Sequence, residues 1–125
     1  WGPHTGYTLA KMGMSFVTLG LAAEFGPQGV AVNALWPRTV IATDALKMIP
    51  GADAEAGRTP EIMADAAHVI LATPSRQLNG QFLVDEAVLR GAGVTDFSVY
   101  AVDPRRALLP DFFLDDPELE EALRR

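Results

Sequence analysis

The sequence predicts an α/β fold in which helices cover a parallel sheet. Three features of its 125 residues indicate this class. A long helical pattern occupies residues 6–26, and a short apolar run at 29–36 follows it closely. A second helical pattern at 59–72 is followed by another apolar run at 80–85. Short apolar runs that alternate with helices are typical of buried parallel strands, because helices cover both faces of such a sheet.

The first helix carries almost no charge. Lys11 and Glu24 are its only charged residues, and a Gly-Pro dipeptide ends it. A helix that is apolar nearly all round is buried in a core, a membrane or a subunit contact. The stretch between the two charges is too short to span a bilayer. We therefore expect one side to lie on the sheet and the face with Gly13 and Gly20 to contact a neighbouring helix or subunit.

Tyr7 and Lys11 lie near the start of this helix, four residues apart. Residues at i and i+4 share a helix face, so the phenol and the ammonium are expected side by side. A nearby cation favours the phenolate and is expected to lower the pKa of Tyr7. Such a pair suits proton transfer at an alcohol or carbonyl oxygen near neutral pH. The alternative is an ordinary side-chain pair at a helix start.

Composition excludes several functional classes. The formal net charge is −6 and the pI is near 4.7, which argues against nucleic acid as a partner. The chain has no cysteine, so disulfides and thiolate metal sites are excluded. Neither His4 nor His68 has a second histidine or a cysteine near it at metal spacing. No signal peptide or membrane span is visible, so we expect a cytoplasmic protein.

The second half of the chain contains a loop, a helix, a strand and a tail. Residues 38–58 are rich in small residues, with a short helix expected at 44–48; a substrate lid and a plain surface connection both fit. The dipeptide Asp85-Glu86 is expected to be solvated or to cap a helix. We divide the chain into 1–90, one half of a domain, and 91–125, a tail that docks on the domain or on a partner subunit.

Two strands are too few for a stable parallel sheet, which needs further strands and covered faces. The chain also begins at Trp1 without a methionine. We therefore expect it to be the later part of a longer sequence that supplies the remaining strands.

Two motifs in order resemble the short-chain dehydrogenase/reductase superfamily. Tyr7-Thr8-Leu9-Ala10-Lys11 matches the Tyr-x-x-x-Lys signature of that family, and Asn33-Ala34-Leu35-Trp36-Pro37 matches its Asn-x-x-x-Pro. The stretches YTLAKMGMSFVTLGLAAEF, VAVNALWPRTVIAT and GQFLVDE are most similar to the hydroxysteroid dehydrogenase-like protein 2 subgroup. The resemblance implies the C-terminal part of a Rossmann-like, doubly wound parallel sheet. It also implies a homo-oligomer that associates through the first helix.

The resemblance further implies an NAD(P)-dependent oxidoreductase that interconverts an alcohol and a carbonyl on a small apolar substrate. Tyr7 would be the general acid and base, and Lys11 would lower its pKa and hold the ribose hydroxyls of NAD or NADP. Pro37, Ile41 and Thr43 would line the nicotinamide side of the site. Beside this we keep a second hypothesis, a non-catalytic assembly or binding module that uses the apolar helix and the tail.

The sequence departs from the family pattern in two respects. Arg38 replaces the glycine that usually follows the motif proline, and one extra residue precedes Thr43, so the positions of Ile41 and Thr43 are shifted. No glycine-rich turn that could hold a pyrophosphate follows a strand in this chain. The serine and asparagine of the family's catalytic set would also lie before Trp1. We expect that these 125 residues made alone neither fold cooperatively nor bind NAD(P).

Overall fold

The computed structural model describes residues 5–49 and 52–111. It contains an α/β arrangement whose elements are α1 (Thr5–Phe25), β1 (Ala34–Trp36), α2 (Glu61–Ala72), β2 (Phe82–Val84) and α3 (Asp85–Gly91). Short 3₁₀ helices lie at Gly26–Gln28, Asp44–Met48, Ala54–Ala56 and Ser98–Tyr100. The predicted fold class, with its order of long helix, strand, loop, helix and strand, is confirmed.

The two strands pair in parallel, with Leu35 opposite Leu83 at the centre of the register. Both are shorter than the apolar runs that predicted them, because each has one strand neighbour within the described residues. Side-chain hydrogen bonds join the two segments that precede the strands. Asn79 Oδ1 accepts a hydrogen bond from the Val32 N–H at 2.8 Å, and Asn33 Oδ1 accepts one from the Gln81 N–H at 3.0 Å.

Helix α1 packs on the sheet through a narrow row of small side chains. Ser15, Thr18 and Ala22 are buried at helical spacing, and Trp36 Nε1 donates a hydrogen bond of 3.2 Å to Ser15 Oγ. Much of the rest of the helix is apolar and exposed, including Leu9, Met14, Phe16, Val17, Leu19 and Leu21. Among the described residues, nothing lies within 4 Å of a Cβ built at Gly13 or Gly20. No helix in the described ranges is both long and apolar enough to cross a membrane.

The core lies around α2, α3 and the 3₁₀ turn near residue 100. Its buried members are Ile62, Ala66, Leu89, Phe97 and Tyr100. The half-buried apolar residues that pack against this cluster include residues of the sheet and of the loop after β1. Burial of this apolar surface is the main stabilising contribution to this half of the chain.

The chain after α3 folds back onto the loop that follows β1. The Val40 N–H donates to the Leu109 carbonyl at 3.0 Å, the Asp111 N–H donates to the Arg38 carbonyl at 3.2 Å, and the Leu109 N–H donates to the Ala56 carbonyl at 2.9 Å. Residues 97–111 therefore contact residues on the other side of the proposed boundary at residue 90. The division into 1–90 and 91–125 stays a prediction, and residues 112–125 lie outside the described ranges.

Candidate active site

A cavity of about 360 Å³ lies between the first half of α1 and the carboxyl end of β1. Tyr7, Lys11 and Ser15 contribute to its wall from the helix, Pro37 from the chain after the strand, and Asp111 from the tail. The three helix residues follow one another at intervals of four, so they share one face. Pro37 ends the strand, because a proline cannot donate a ladder hydrogen bond. The cavity thus lies at the carboxyl end of a parallel strand, where open α/β sheets bind ligands.

The Tyr7 and Lys11 side chains are in contact. The Lys11 Nζ lies over the Tyr7 ring, 5.5 Å from its centroid. Tyr7 is 50 % exposed, and its pKa is raised, first by partial burial of the phenol and second by the negative charge of Asp111. The expected lowering of the Tyr7 pKa is therefore wrong for this chain. Lys11 is exposed, so water screens its charge, whereas the carboxylate of Asp111 opposes ionisation.

Asp111 is the charged residue of this cavity wall, besides Lys11, and the sequence did not predict it as a site residue. It is half-buried and is placed there by its N–H bond to the Arg38 carbonyl and by the bridge between Thr39 and Pro110. No local motif marks it, because its position depends on pairing between the tail and the loop after β1. Its only sequence signal is an acid that follows an apolar Leu-Leu-Pro run.

The structure does not bring Ile41 and Thr43 to the cavity wall. Ile41 is half-buried and packs against the core cluster, and its N–H has no hydrogen-bond partner within the described residues. Thr43 is exposed and lines a separate hollow of about 240 Å³ with Ala42 and Leu46. Of the predicted site residues, Tyr7, Lys11 and Pro37 therefore line one cavity, whereas Ile41 and Thr43 lie elsewhere. No cluster of three or more acidic, histidine or cysteine ligands occurs in the described part of the chain.

Known proteins resemble this chain over most of its length. It is 52 % identical over 113 residues to hydroxysteroid dehydrogenase-like protein 2 of Danio rerio and 46 % identical over 114 residues to the Homo sapiens protein of that name, in each case over 90 % of this chain. The chain spans about a quarter of the length of these curated relatives, 27 % of each. No family model matches it.

Solved structures resemble it in fold as well. A candidate dehydrogenase from Xanthomonas campestris is 72 % identical, with a TM-score of 0.86 over 90 % of this chain and 41 % of that one. A short chain dehydrogenase of Mycobacterium thermoresistibile is 44 % identical, with a TM-score of 0.78 over 89 % of this chain and 40 % of that one. In sequence and in fold, the chain is therefore similar to one part of a short-chain dehydrogenase.

Like the matching part of those structures, the chain is a portion of a Rossmann-like domain. Asn33 of its Asn-x-x-x-Pro motif connects the two strands, since its Nδ2 also donates to the Leu78 carbonyl at 3.1 Å. Pro37 of the same motif reaches the cavity wall. The two family motifs, which are far apart in sequence, therefore meet at one cavity.

Proposed function

We propose that this chain carries the proton-transfer part of an NAD(P)-dependent oxidoreductase that interconverts an alcohol and a carbonyl. The observation that supports it is the shared cavity of Tyr7, Lys11 and Pro37 at the carboxyl end of β1. The names of the relatives agree, since they are dehydrogenases or dehydrogenase-like proteins. The proposal applies to the full-length gene product, because the chain matches only part of each relative.

Tyr7 is the proposed general acid and base. Its hydroxyl would donate a proton to the carbonyl oxygen during reduction and accept one from the alcohol during oxidation. The three N–H donors of the adjacent Lys11 ammonium can hold the ribose hydroxyls of the cofactor. A bound nicotinamide supplies or accepts the hydride. In either direction of the reaction, one proton would move at the Tyr7 oxygen.

The residues present fit the nicotinamide riboside end of such a cofactor. The cavity wall offers an ammonium and a phenol as donors to hydroxyls, and Pro37 is an apolar wall for a ring. Ile41 and Thr43 do not line this cavity, and we propose that the Ile41 N–H and the Thr43 hydroxyl contact the carboxamide when the cofactor is bound. Either NAD or NADP is proposed, because the residues that bind the pyrophosphate and the adenosine ribose would come from outside this chain.

The substrate class follows from the apolar part of the wall. Met12, Met14, Leu35 and Trp36 line the same cavity. Met side chains adapt to irregular apolar shapes. A small apolar alcohol or carbonyl compound is therefore the proposed substrate.

A second candidate function is assembly, and the exposed face of α1 favours it. Large apolar side chains such as Leu9, Phe16 and Val17 are more than half exposed within the described part of the chain. A contiguous apolar surface of this kind is normally covered. We propose a homo-oligomer that associates through this helix, with residues 1–90 as the catalytic portion and 91–125 as the docking tail. Catalysis and assembly are compatible.

A comparison of two tyrosine variants tests the catalytic proposal. In the full-length gene product, Tyr7→Phe should lower turnover of an alcohol with NAD or NADP by about 10²–10⁴-fold, the usual contribution of a positioned acid and base. Tyr100→Phe is the matched control, because it removes the same atom from a tyrosine of the core that lies away from the cavity. Near-normal turnover by Tyr7→Phe would exclude Tyr7 as the proton-transfer group.

A further inference from the structure

The first two residues of α3 are acidic and buried. Asp85 is 0 % exposed and Glu86 is 8 % exposed, although the sequence suggested solvation or helix capping. Burial of a carboxylate costs free energy unless it is hydrogen-bonded or paired. The partners of these two carboxylates therefore indicate which parts of the chain they hold. Both residues lie directly after β2, next to the strand that precedes Pro37.

Asp85 holds the backbone just after Pro37. Its Oδ1 accepts a hydrogen bond of 2.9 Å from the Arg38 N–H and one of 2.6 Å from the Glu86 N–H. Burial raises the pKa of Asp85, and these two N–H donors act in the opposite direction. The carboxylate therefore joins the start of α3 to the first residue after the cavity wall.

Glu86 holds the other end of the segment that begins at Arg38, and it does so through the side chain of Arg58. The Arg58 Nη1 donates to Glu86 Oε2 at 2.6 Å, and Arg90 Nη2 donates to Glu86 Oε1 at 2.7 Å. Burial raises the pKa of Glu86, but the hydrogen bonds from the two arginines lower it by more, so the net pKa is lowered. Both guanidinium groups also lie against the Phe97 ring, at 5.4 and 4.8 Å from its centroid.

The backbone of Arg58, whose side chain is held by Glu86, is hydrogen-bonded to the loop after β1. Its N–H donates to the Val40 carbonyl at 2.9 Å, and its carbonyl accepts from the Ala42 N–H at 2.8 Å. The contact is tight, since a Cβ on the neighbouring Gly57 would lie 2.6 Å from the Val40 carbonyl oxygen. Segment 38–42 is thus fixed at its beginning by Asp85 and at its end by the Glu86–Arg58 pair.

We propose that Asp85 and Glu86 are positioning residues that clamp segment 38–42 beside the candidate active site, and that through it they set the affinity for the nicotinamide end of the cofactor. The inference rests on the proposed function, because the segment matters for activity only if Pro37 and Ile41 face a dinucleotide. Neither acid lines the cavity, so both act through the backbone that they hold.

Hydrogen exchange in the full-length gene product tests the clamp itself. Asp85→Ala removes both accepted hydrogen bonds, whereas Asp85→Asn keeps an amide oxygen that can accept them. The Val40 and Ala42 amides should exchange about tenfold faster or more in Asp85→Ala, while α2 amides such as that of Ala66 remain protected. In Asp85→Asn the exchange should stay close to that of the wild type. Unchanged exchange in the segment, or equal acceleration throughout α2, would overturn the clamp.

Titration of the same variants with NAD and with NADP tests the functional step. Asp85→Ala should weaken binding of the dinucleotide by about tenfold, and Asp85→Asn should remain within about threefold of the wild type. Equal affinity in all three proteins would overturn the functional role. If the wild type binds neither dinucleotide, the proposed function fails, while the exchange pattern still decides whether the clamp exists.

A second variant covers the case in which Asp85→Ala does not fold. Glu86→Gln keeps the shape of the side chain but removes the charge that pairs with Arg58 and Arg90. The Ala42 amide, which is bonded to the Arg58 carbonyl, should then exchange faster than in the wild type, and dinucleotide affinity should fall in parallel. Wild-type exchange at Ala42 in this variant would contradict the proposed anchor at the far end of the segment.

Discussion

The Lys11 ammonium nitrogen lies over the Tyr7 ring, 5.5 Å from its centroid. This distance is within the range of a cation–π contact, which holds the two side chains together on one helix face. The tail adds an opposite charge, because Asp111 lines the same cavity and raises the Tyr7 pKa, after the larger effect of partial burial. Ionisation of Tyr7 in this chain is therefore opposed by burial and by a carboxylate that comes from the far end of the sequence.

Loss of the Lys11 charge should impair both rate and cofactor affinity in the full-length gene product. Lys11→Ala is expected to lower turnover and to weaken NAD(P) binding, each by about tenfold or more, since hydrogen bonds from a charged donor contribute about 1.5–3 kcal/mol. Steady-state kinetics and a binding titration measure the two effects. Arg76→Ala, which removes an exposed cation that does not line the cavity, is the control and should change neither. A Lys11→Ala enzyme with wild-type kinetics would exclude the proposed role.

Neutralising Asp111 should shift the pH dependence of alcohol oxidation to lower pH. The carboxylate raises the Tyr7 pKa, so Asp111→Asn should lower it and make the phenolate available at a lower pH. The pH profile of kcat measures the shift. Asp96→Asn is a matched control, because Asp96 is exposed, accepts hydrogen bonds from Ser98 and does not line the cavity. A profile that is unchanged, or that moves to higher pH, would contradict the influence of Asp111 on Tyr7.

A charge placed on the exposed face of α1 should disrupt association. Gly20→Glu is expected to shift the full-length protein towards monomer or aggregate, because an isologous contact would bury the new charge twice. Light scattering or sedimentation measures the mass. Gly91→Glu places the same side chain at the end of α3, where nothing lies within 4 Å of a built Cβ among the described residues, and should leave the mass unchanged. If Gly20→Glu sediments like the wild type, this face is not the interface.

The Tyr100 hydroxyl should stabilise the fold in a pH-dependent way. It donates a hydrogen bond of 2.7 Å to Asp65 Oδ2, and this bond raises the pKa of Tyr100. Tyr100→Phe is expected to lower the free energy of unfolding by about 1 kcal/mol near neutral pH. A folded pKa above the unfolded value means that the contribution is complete below about pH 10 and is lost as the pH rises through the folded pKa. In the full-length gene product, denaturant titrations of the wild type and of Tyr100→Phe should therefore converge at high pH. A difference in unfolding free energy that stays constant with pH would contradict this origin.

Local sequence signals predicted α1, α2 and the order of these helices and the two strands. The helical pattern of residues 59–72 predicted α2, which runs from Glu61 to Ala72. The Gly-Pro dipeptide predicted the end of α1, which is at Phe25. The spacing of Tyr7 and Lys11 predicted their contact, because helix geometry alone brings i and i+4 together. Strand lengths were overestimated, since a ladder extends only as far as its neighbour does.

The sequence by itself determined the elements that depend on neighbouring residues: the helices, their ends and the Tyr7–Lys11 pair. Only the tertiary structure decided which groups from distant parts of the chain meet. Asp111 reaches the cavity because the tail pairs with the backbone of Arg38, and Asp85 is buried because β1 and β2 lie side by side in parallel. Such contacts depend on backbone hydrogen bonds between segments far apart in sequence, and these bonds leave no periodicity or spacing that can be read along the chain.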